Sequence, residues 1–176
     1  MRTTYLLAVA GWIGFTACEL PTRAGVSSPP ATVEVGEAAK PGMTPAEVLD
    51  DWHEAASVAD QGRYLAHFAP DAVFLGTDAT ERWTLEEFSE YVKKYFPQGG
   101  WTYRPHDRFV MFSEDGEMAW FDEALTNDSY GELRGAGVLK NIDGEWKIVH
   151  YNMTFTIPND VARDVIDVVN GAASED

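Results

Sequence analysis

The sequence predicts an α+β domain whose helices pack on one face of an antiparallel sheet. Between residues 44 and 95, apolar side chains recur every three or four positions, which is typical of helices that bury one side. From Trp101 onward, long extended runs alternate with Asp-Gly and Asn-Asp pairs, which favour hairpin turns. Helices followed by hairpins predict a helical layer on a sheet. Because long twisted strands generally bend, the expected shape is a cone.

Residues 1–17 have the character of a secretory signal peptide. Arg2 precedes an uncharged stretch from Thr3 to Ala17 that is short for a membrane span. The only cysteine, Cys18, follows Phe15-Thr16-Ala17, and this arrangement resembles the lipobox of bacterial lipoproteins. The resemblance implies export and a lipid anchor at Cys18 in the bacterial cell envelope. An ordinary signal peptide with a chance cysteine is the alternative.

A flexible linker and a first helix follow the signal segment. Residues 18–43 include the cysteine and then a stretch rich in Pro, Gly, Ser and Ala without a sustained apolar period, which predicts a tether. Thr44 and Glu47 then form the pattern of a capping box, and Pro45 suits the first helical position. His53 lies away from the apolar stripe that we assign to this helix, so we expect it to be exposed.

The remaining elements complete a domain over residues 44–158. A short helix carrying Tyr64 and Phe68 ends at Pro70, and a short strand follows it. A second capping box, Thr84 with Glu87, opens a third helix. Four strands then form a meander, over 101–113, 117–126, 130–140 and 146–157. Residues 159–176 predict a C-terminal amphipathic helix and a tail.

Three phrases in this order of elements carry a family resemblance. They are Phe68-Ala69-Pro70-Asp71-Ala72, Gly76-Thr77-Asp78, and the closing run from Gly144 to Tyr151. Together they resemble the nuclear transport factor 2-like superfamily, particularly its SnoaL-like branch. The resemblance implies a cone with one interior pocket, often dimeric through the outer sheet face. It implies no single reaction, since the fold hosts isomerases, cyclases, dehydratases and proteins that only bind.

Strand alternation suggests where polar groups meet in such a pocket. It places His150 and Asn152 on one side of the last strand, which we expect to face the pocket, and makes Asp122 the one acid on its side of an earlier strand. A neutral His beside a carboxylate can transfer protons near neutral pH, so Asp122 and His150 are candidate catalytic residues. The alternative is that Asp122, Arg134 and His150 satisfy one another in a structural network.

Aromatic and polar side chains are the candidates for the pocket lining. We expect the ligand to contact Trp52, Tyr64, Phe68, Trp83, Trp120, Arg134 and Asn152. The facing of Arg134 depends on loop length, because a three-residue hairpin loop puts it on the side of Asp122 and a two-residue loop on the opposite side. Gly135 and Gly137 leave room on the other face of that strand.

The composition excludes several classes of function. A formal charge of −16, from 29 acids and 13 bases, disfavours nucleic acid and anionic lipid surfaces, so membrane attachment would depend on the lipid anchor alone. The sequence has no His-x-x-x-His spacing, phosphate-binding glycine loop or Gly-x-Ser-x-Gly motif, and we expect no metal or cofactor.

Three functions remain open. The leading prediction is an envelope-anchored domain that binds a small, largely apolar or aromatic molecule and forms a homodimer. The first alternative is a cofactor-free isomerase, cyclase or dehydratase that uses Asp122 and His150. The second is a dimeric interaction module without a ligand.

Overall fold

A computed structural model describes residues 42–172 of the chain. The predicted signal peptide, Cys18 and nearly all of the predicted linker lie outside the described residues. No helix in the described part is long and apolar enough to cross a membrane. The described residues form four α-helices, one short 3-10 turn and six strands.

The helices and strands alternate first and then give way to long hairpins. The helices are α1 (Pro45–Ser57), α2 (Gln61–Ala66), α3 (Leu85–Tyr95) and α4 (Ala162–Ala172), with a 3-10 turn over Phe96–Gln98. The strands are β1 (Phe68–Leu75), β2 (Arg82–Thr84), β3 (Arg104–Phe112), β4 (Met118–Asn127), β5 (Gly131–Ile142) and β6 (Glu145–Phe155). Both predicted capping boxes are present, and the side chains of Thr44 and Thr84 each accept a hydrogen bond from a backbone N–H three residues on.

The sheet has six strands in the order β2-β1-β6-β5-β4-β3. The pairs from β3 to β6 are antiparallel, as predicted for the meander, whereas β1 pairs in parallel with β6. The sheet curls around α1 and α3, whose buried side chains form one core with its inner face. The prediction of a cone-shaped α+β fold with helices on a bent sheet is confirmed.

Bulges in β6 and β3 change which side chains of these two strands face inward. In β6, Val138 pairs with His150 and Leu139 pairs with Ile148, so Val149 is an extra residue. In β3, the register shifts between His106 and Phe109, and Asp107 between them has a positive φ of 46°. Each extra residue exchanges the two faces of its strand from that point on, because successive side chains alternate across a strand.

Beyond their bulges, β3 and β6 therefore present faces opposite to those expected by simple alternation, whereas β4 alternates regularly. Phe121, Glu123, Leu125, Tyr151 and Met153 are buried on the inner face. The pairing of Asn127 with Gly131 leaves a three-residue loop, which puts Arg134 on the same face as Asp122. That face is the outer one, and it carries Trp120, Asp122, Arg134, His150 and Asn152.

Candidate functional site

A cavity of about 500 Å³ lies between the helices and the inner face of the sheet. Its walls come from α1, α2, α3, the end of β1 and the loops before β3 and after β4. Nine of the lining residues are aromatic: Trp52, Tyr64, Phe74, Trp83, Phe88, Tyr91, Trp101, Tyr103 and Tyr130. This volume lies within the range of about 300–1,000 Å³ that is typical of small-molecule sites.

Several of the rings that line the cavity lie nearly parallel and stack on one another. Phe74 and Phe88 stack with ring centroids 4.1 Å apart and planes 9° apart. Trp83 stacks on Tyr91 at 4.9 Å with planes 29° apart. Aromatic pairs prefer such stacked arrangements, so these rings support one another in the cavity wall.

His53 contributes the one imidazole of the cavity wall among the described residues. It lies on α1, is 5% exposed, and its Nε2 is 2.8 Å from the Oε1 atom of Glu123. An ionised carboxylate only accepts hydrogen bonds, so Nε2–H of His53 donates to Glu123. This hydrogen bond holds the imidazole ring in one orientation at the cavity wall.

Glu123 is the centre of a buried polar network. Besides the bond from His53, its carboxylate accepts hydrogen bonds from the Tyr151 hydroxyl at 3.1 Å and from Arg108 Nε at 2.7 Å. Arg108 also donates to the carbonyl of Ala46 at 2.9 Å and to Asp50 at 2.6 Å. The bulge in β3 turns Arg108 toward Glu123, so an irregularity of the strand completes the network.

This network determines the protonation of its members. Burial alone would raise the pKa of Glu123, but the hydrogen bond and charge of His53, together with Arg108, lower that pKa below its usual value. Burial and the adjacent Glu123 carboxylate raise the pKa of Tyr151 well above its usual value. Glu123 is therefore an anion at neutral pH, and Tyr151 is a neutral hydrogen-bond donor.

Two buried donors have no hydrogen-bond partner in the part of the chain that the structure describes. They are Nε1 of Trp52 and Nη2 of Arg108. Trp52 is 2% exposed and belongs to the cavity wall. A buried N–H without a partner is costly, so the indole favours a bound molecule with an acceptor atom.

The predicted pocket residues divide between the two sides of the sheet. Trp52, Tyr64 and Trp83 line the cavity, and Phe68 is buried in the core behind it, where it packs against Trp52 and Tyr64. Trp120, Arg134 and Asn152 are on the outer face and do not line the cavity. The ligand contacts themselves remain a prediction.

The placement of Asp122 and His150 inside the cone is wrong. Asp122 is exposed on the outer face, and His150 follows the β6 bulge onto that same face. Asp122 aligns with Ala136 and Asn152, whereas His150 aligns with Val138 and Trp120, so the two side chains do not share a row. Within residues 42–172 no side-chain hydrogen bond or ion pair joins Asp122, Arg134 and His150, so the structural network is also absent there.

His53, Glu123 and Arg108 are the polar residues that the sequence interpretation missed. Contrary to expectation, His53 is buried, and its position four residues after Leu49 and three before Ala56 is a helical spacing that could have revealed this. Glu123 alternates with Phe121 and Leu125, a signal that it faces inward. Nothing in the sequence marks the bulge that directs Arg108.

The comparisons with known proteins agree with this architecture. Solved structures with the same fold include a nuclear transport factor 2-like protein of unknown function from Pseudomonas putida, with 13% identity, a TM-score of 0.56, and coverage of 66% of this chain and 87% of that one. A candidate scytalone dehydratase from Novosphingobium aromaticivorans has 11% identity, a TM-score of 0.54, and coverage of 64% and 81%. A candidate ketosteroid isomerase from Parabacteroides distasonis has 15% identity, a TM-score of 0.53, and coverage of 65% and 89%.

At these identities the structural likeness establishes the fold alone. No curated protein matches the chain. Residues 46–158, however, match the family described as the SnoaL-like domain. The chain therefore belongs to the SnoaL-like domain family, within the nuclear transport factor 2-like fold.

Proposed function

We propose that this protein binds a small, largely apolar organic molecule in the cavity of its SnoaL-like domain. The observation that carries the proposal is the 500 Å³ cavity, whose wall includes nine aromatic side chains. The unpartnered Trp52 indole supports a ligand with at least one acceptor atom. The alternative of an interaction module without a ligand requires a cone that is filled by its own side chains. A cavity of this size does not support that alternative.

Nuclear magnetic resonance with a neutral probe tests this proposal. Each tryptophan gives one indole N–H signal, and the tryptophans in the described part of the chain include Trp52, Trp83 and Trp101 at the cavity and Trp120 on the outer face. On addition of 4-tert-butylphenol we expect the Trp52, Trp83 and Trp101 signals to shift, because these residues line the cavity. The Trp120 signal on the outer face should stay in place.

A matched pair of variants adds a control for the location of binding. Trp83→Ala removes one stacked ring of the wall and should weaken probe binding about tenfold, since a buried aromatic contact is worth about 1–2 kcal/mol. Trp120→Ala removes the same side chain from the outer face and should leave binding unchanged. No shift of the cavity indoles at millimolar probe, or a larger effect of Trp120→Ala, would contradict the proposal.

The second candidate function is acid–base catalysis by His53 with Glu123. The 2.8 Å contact between them, at the wall of a cavity lined by aromatic residues, favours it, because a positioned imidazole is a good general base near neutral pH. The chemistry would suit removal of a proton next to a carbonyl, an isomerisation or a dehydration. The names of the dehydratase-like and isomerase-like neighbours are compatible with such reactions.

Substitution of the two histidines on opposite faces distinguishes catalysis from binding. For any substrate that the protein turns over, His53→Gln should lower kcat about 10²- to 10⁴-fold. His150→Gln on the outer face should leave kcat unchanged. A His53→Gln variant with full turnover would rule out this second function.

We also propose that the protein is exported, anchored at Cys18 and homodimeric. The hydrophobic segment before Cys18 and its similarity to a lipobox support the anchor. Exposed apolar side chains on the outer sheet face, including Phe109 at 61% and Trp120 at 44%, support self-association. Mass spectrometry of the mature chain tests the anchor, because an unmodified Cys18 would contradict it.

A further inference from the structure

The cavity wall has a marked charge asymmetry. It includes the carboxylates of Glu81 and Asp128, but none of its lining residues in the described part of the chain is Lys or Arg. The whole chain carries a formal charge of −16. An acidic protein with a cavity free of bases attracts cations and repels anions.

The cavity is also lined by electron-rich aromatic rings. Trp83, Tyr91, Trp101, Tyr103 and Tyr130 line the part of the wall that includes Glu81 and the loops around it. Tyr91 contacts Trp83 at 4.9 Å and Trp101 at 5.9 Å between ring centroids. The faces of Trp and Tyr carry partial negative charge, and several such faces around one space form a cage for an organic cation.

Glu81 is the carboxylate of the cavity wall that forms no ion pair within the described residues. Its Oε2 accepts a hydrogen bond from the backbone N–H of Asp78 at 3.1 Å, and it makes no ion pair within residues 42–172. Asp128, by contrast, binds Arg104 through two hydrogen bonds of 2.8 and 3.1 Å. Glu81 is half-buried at the cavity wall, so its charge is available to a ligand.

The charge of Glu81 contributes to the raised pKa values of two neighbouring tyrosines. Burial raises the pKa of Tyr103 to about 12, with further contributions from Tyr130, Tyr91 and Glu81. Burial together with Glu81 also raises the pKa of Tyr91. Both phenols are therefore neutral at physiological pH, and each keeps its hydroxyl proton.

We propose that the ligand is an organic cation, a planar molecule with a tertiary or quaternary ammonium group. The ammonium group would lie against the rings of Trp83 and Tyr91 beside Glu81, and the planar part would lie along the other aromatic residues of the cavity wall. A substituted ammonium sheds its hydration more readily than a primary amine, so an aromatic wall accommodates it well. This inference rests on the proposed function, since it specifies the charge of the molecule that the same cavity binds.

An isosteric pair of probes tests the inference. The (4-hydroxyphenyl)trimethylammonium ion and 4-tert-butylphenol have the same shape and differ in one positive charge. At about 0.15 M salt, where surface attraction is screened over about 8 Å, we expect the cation to bind about tenfold more tightly, from desolvated cation–π contacts. Titrations followed by the indole N–H signals give both affinities and the location of each probe.

Variants identify the groups responsible. Glu81→Gln should weaken binding of the cation about three- to tenfold and leave 4-tert-butylphenol unchanged, because only the charged probe loses a partner. Glu114→Gln, an exposed glutamate away from the cavity, is the matched control and should change neither affinity. Trp83→Leu, a second variant that keeps an apolar side chain, should weaken the cation more than the neutral probe.

The outcomes separate this inference from the proposed function. Equal affinities, or tighter binding of the neutral probe, would overturn the cation inference while leaving ligand binding intact. A cation preference unaffected by both Glu81→Gln and Trp83→Leu, or shifts centred on Trp120, would also overturn it. If neither of the two probes binds, both proposals are overturned.

Discussion

Two adjacent acidic residues of β4 have opposite environments. Asp122 is exposed on the outer face, whereas Glu123 is 1% exposed and accepts hydrogen bonds from His53, Arg108 and Tyr151. A buried carboxylate that balances a buried guanidinium is hard to remove, because the remaining charge loses its partner. Glu123 therefore connects α1, β3 and β6 through a single side chain.

We expect Glu123→Gln to lower the free energy of unfolding by about 3–5 kcal/mol at neutral pH, as for other broken buried ion pairs. The matched control Asp122→Asn should change it by less than about 0.5 kcal/mol, since the side chain is exposed. Urea unfolding followed by tryptophan fluorescence measures both. Equal effects of the two substitutions would contradict the assignment of inner and outer faces.

Asp51 gives a prediction for pH dependence. Its carboxylate accepts hydrogen bonds from Arg63 Nε at 3.0 Å and His67 Nε2 at 2.6 Å. The Arg63 hydrogen bond is the main reason that the pKa of Asp51 falls to about 2 in the folded protein. Because the pKa of Asp51 is lower in the folded than in the unfolded protein, the ionised carboxylate stabilises the fold at pH values above the unfolded pKa. This contribution to the free energy of unfolding is lost as the pH falls toward 2.

Asp51→Asn should accordingly cost up to about 2 kcal/mol of unfolding free energy at pH 6, and progressively less between pH 4 and about 2. The exposed Asp71→Asn is the control and should cost little at any pH. Urea unfolding of the three proteins across this pH range tests the difference. A cost for Asp51→Asn that is independent of pH would show that packing, rather than charge, is responsible.

The limits of prediction from this sequence appear at single residues. Trp52, Tyr64 and Trp83 were predicted as pocket residues, and they do line the cavity. The prediction for His150 is wrong because strict alternation does not continue through the bulge in β6. The prediction for Asp122 is wrong because the side of β4 that carries Trp120 is the outer one, although β4 itself alternates regularly. The apolar or polar character of a residue predicts whether it is buried. A bulge depends instead on how the strand pairs with a distant segment, so the sequence around it does not reveal it.

At the scale of elements, local signals were sufficient for the helices and turns. The two Thr-to-Glu capping boxes locate the starts of α1 and α3 because they depend on residues three positions apart. The four meander strands were predicted within a few residues of their observed bounds. The short β2 and the parallel pairing of β1 with β6 were not, since these depend on tertiary contacts.

Gly135 and Gly137 of β5 give the inner face its concavity. A Cβ on Gly135 would lie 2.3 Å from the Tyr151 hydroxyl oxygen and 3.0 Å from Glu123 Oε1. A Cβ on Gly137 would lie 2.2 Å from the backbone oxygen of His150. The space that these glycines leave is filled by side chains and backbone of neighbouring strands, rather than by a ligand against the backbone.

Gly135→Ala should therefore separate Tyr151 from Glu123 and destabilise the protein by about 1–3 kcal/mol, as is usual for overpacking. Gly62→Ala in α2 is the control, because its nearest contact is Asp60 Oδ1 at 3.8 Å. That substitution should be neutral or stabilise by up to about 1 kcal/mol, through higher helix propensity. Thermal unfolding measures both changes, and a neutral Gly135→Ala would disprove the close contact.

At the scale of the whole molecule, the curled sheet separates two apolar surfaces. The inner surface encloses the cavity, and the outer surface exposes large side chains, among them Phe109, Met111 and Trp120. The three are neighbours across β3 and β4, since Met111 pairs with Trp120 and Phe109 pairs with Asp122. A contiguous exposed apolar patch of this kind favours association with another surface.

A homodimer through the outer face makes a prediction about salt as well as about mutation. Two copies of a chain with a formal charge of −16 repel each other, so raising the salt concentration from about 0.05 to 0.5 M should strengthen an association that depends on apolar contact. Trp120→Lys should convert dimer to monomer in sedimentation velocity, because it buries a charge in the interface.

The control Val168→Lys places the same charge on the exposed side of α4, where the valine is 72% exposed. A wild-type monomer at all salt concentrations, or dissociation by Val168→Lys and not by Trp120→Lys, would exclude the outer sheet face as the dimer interface.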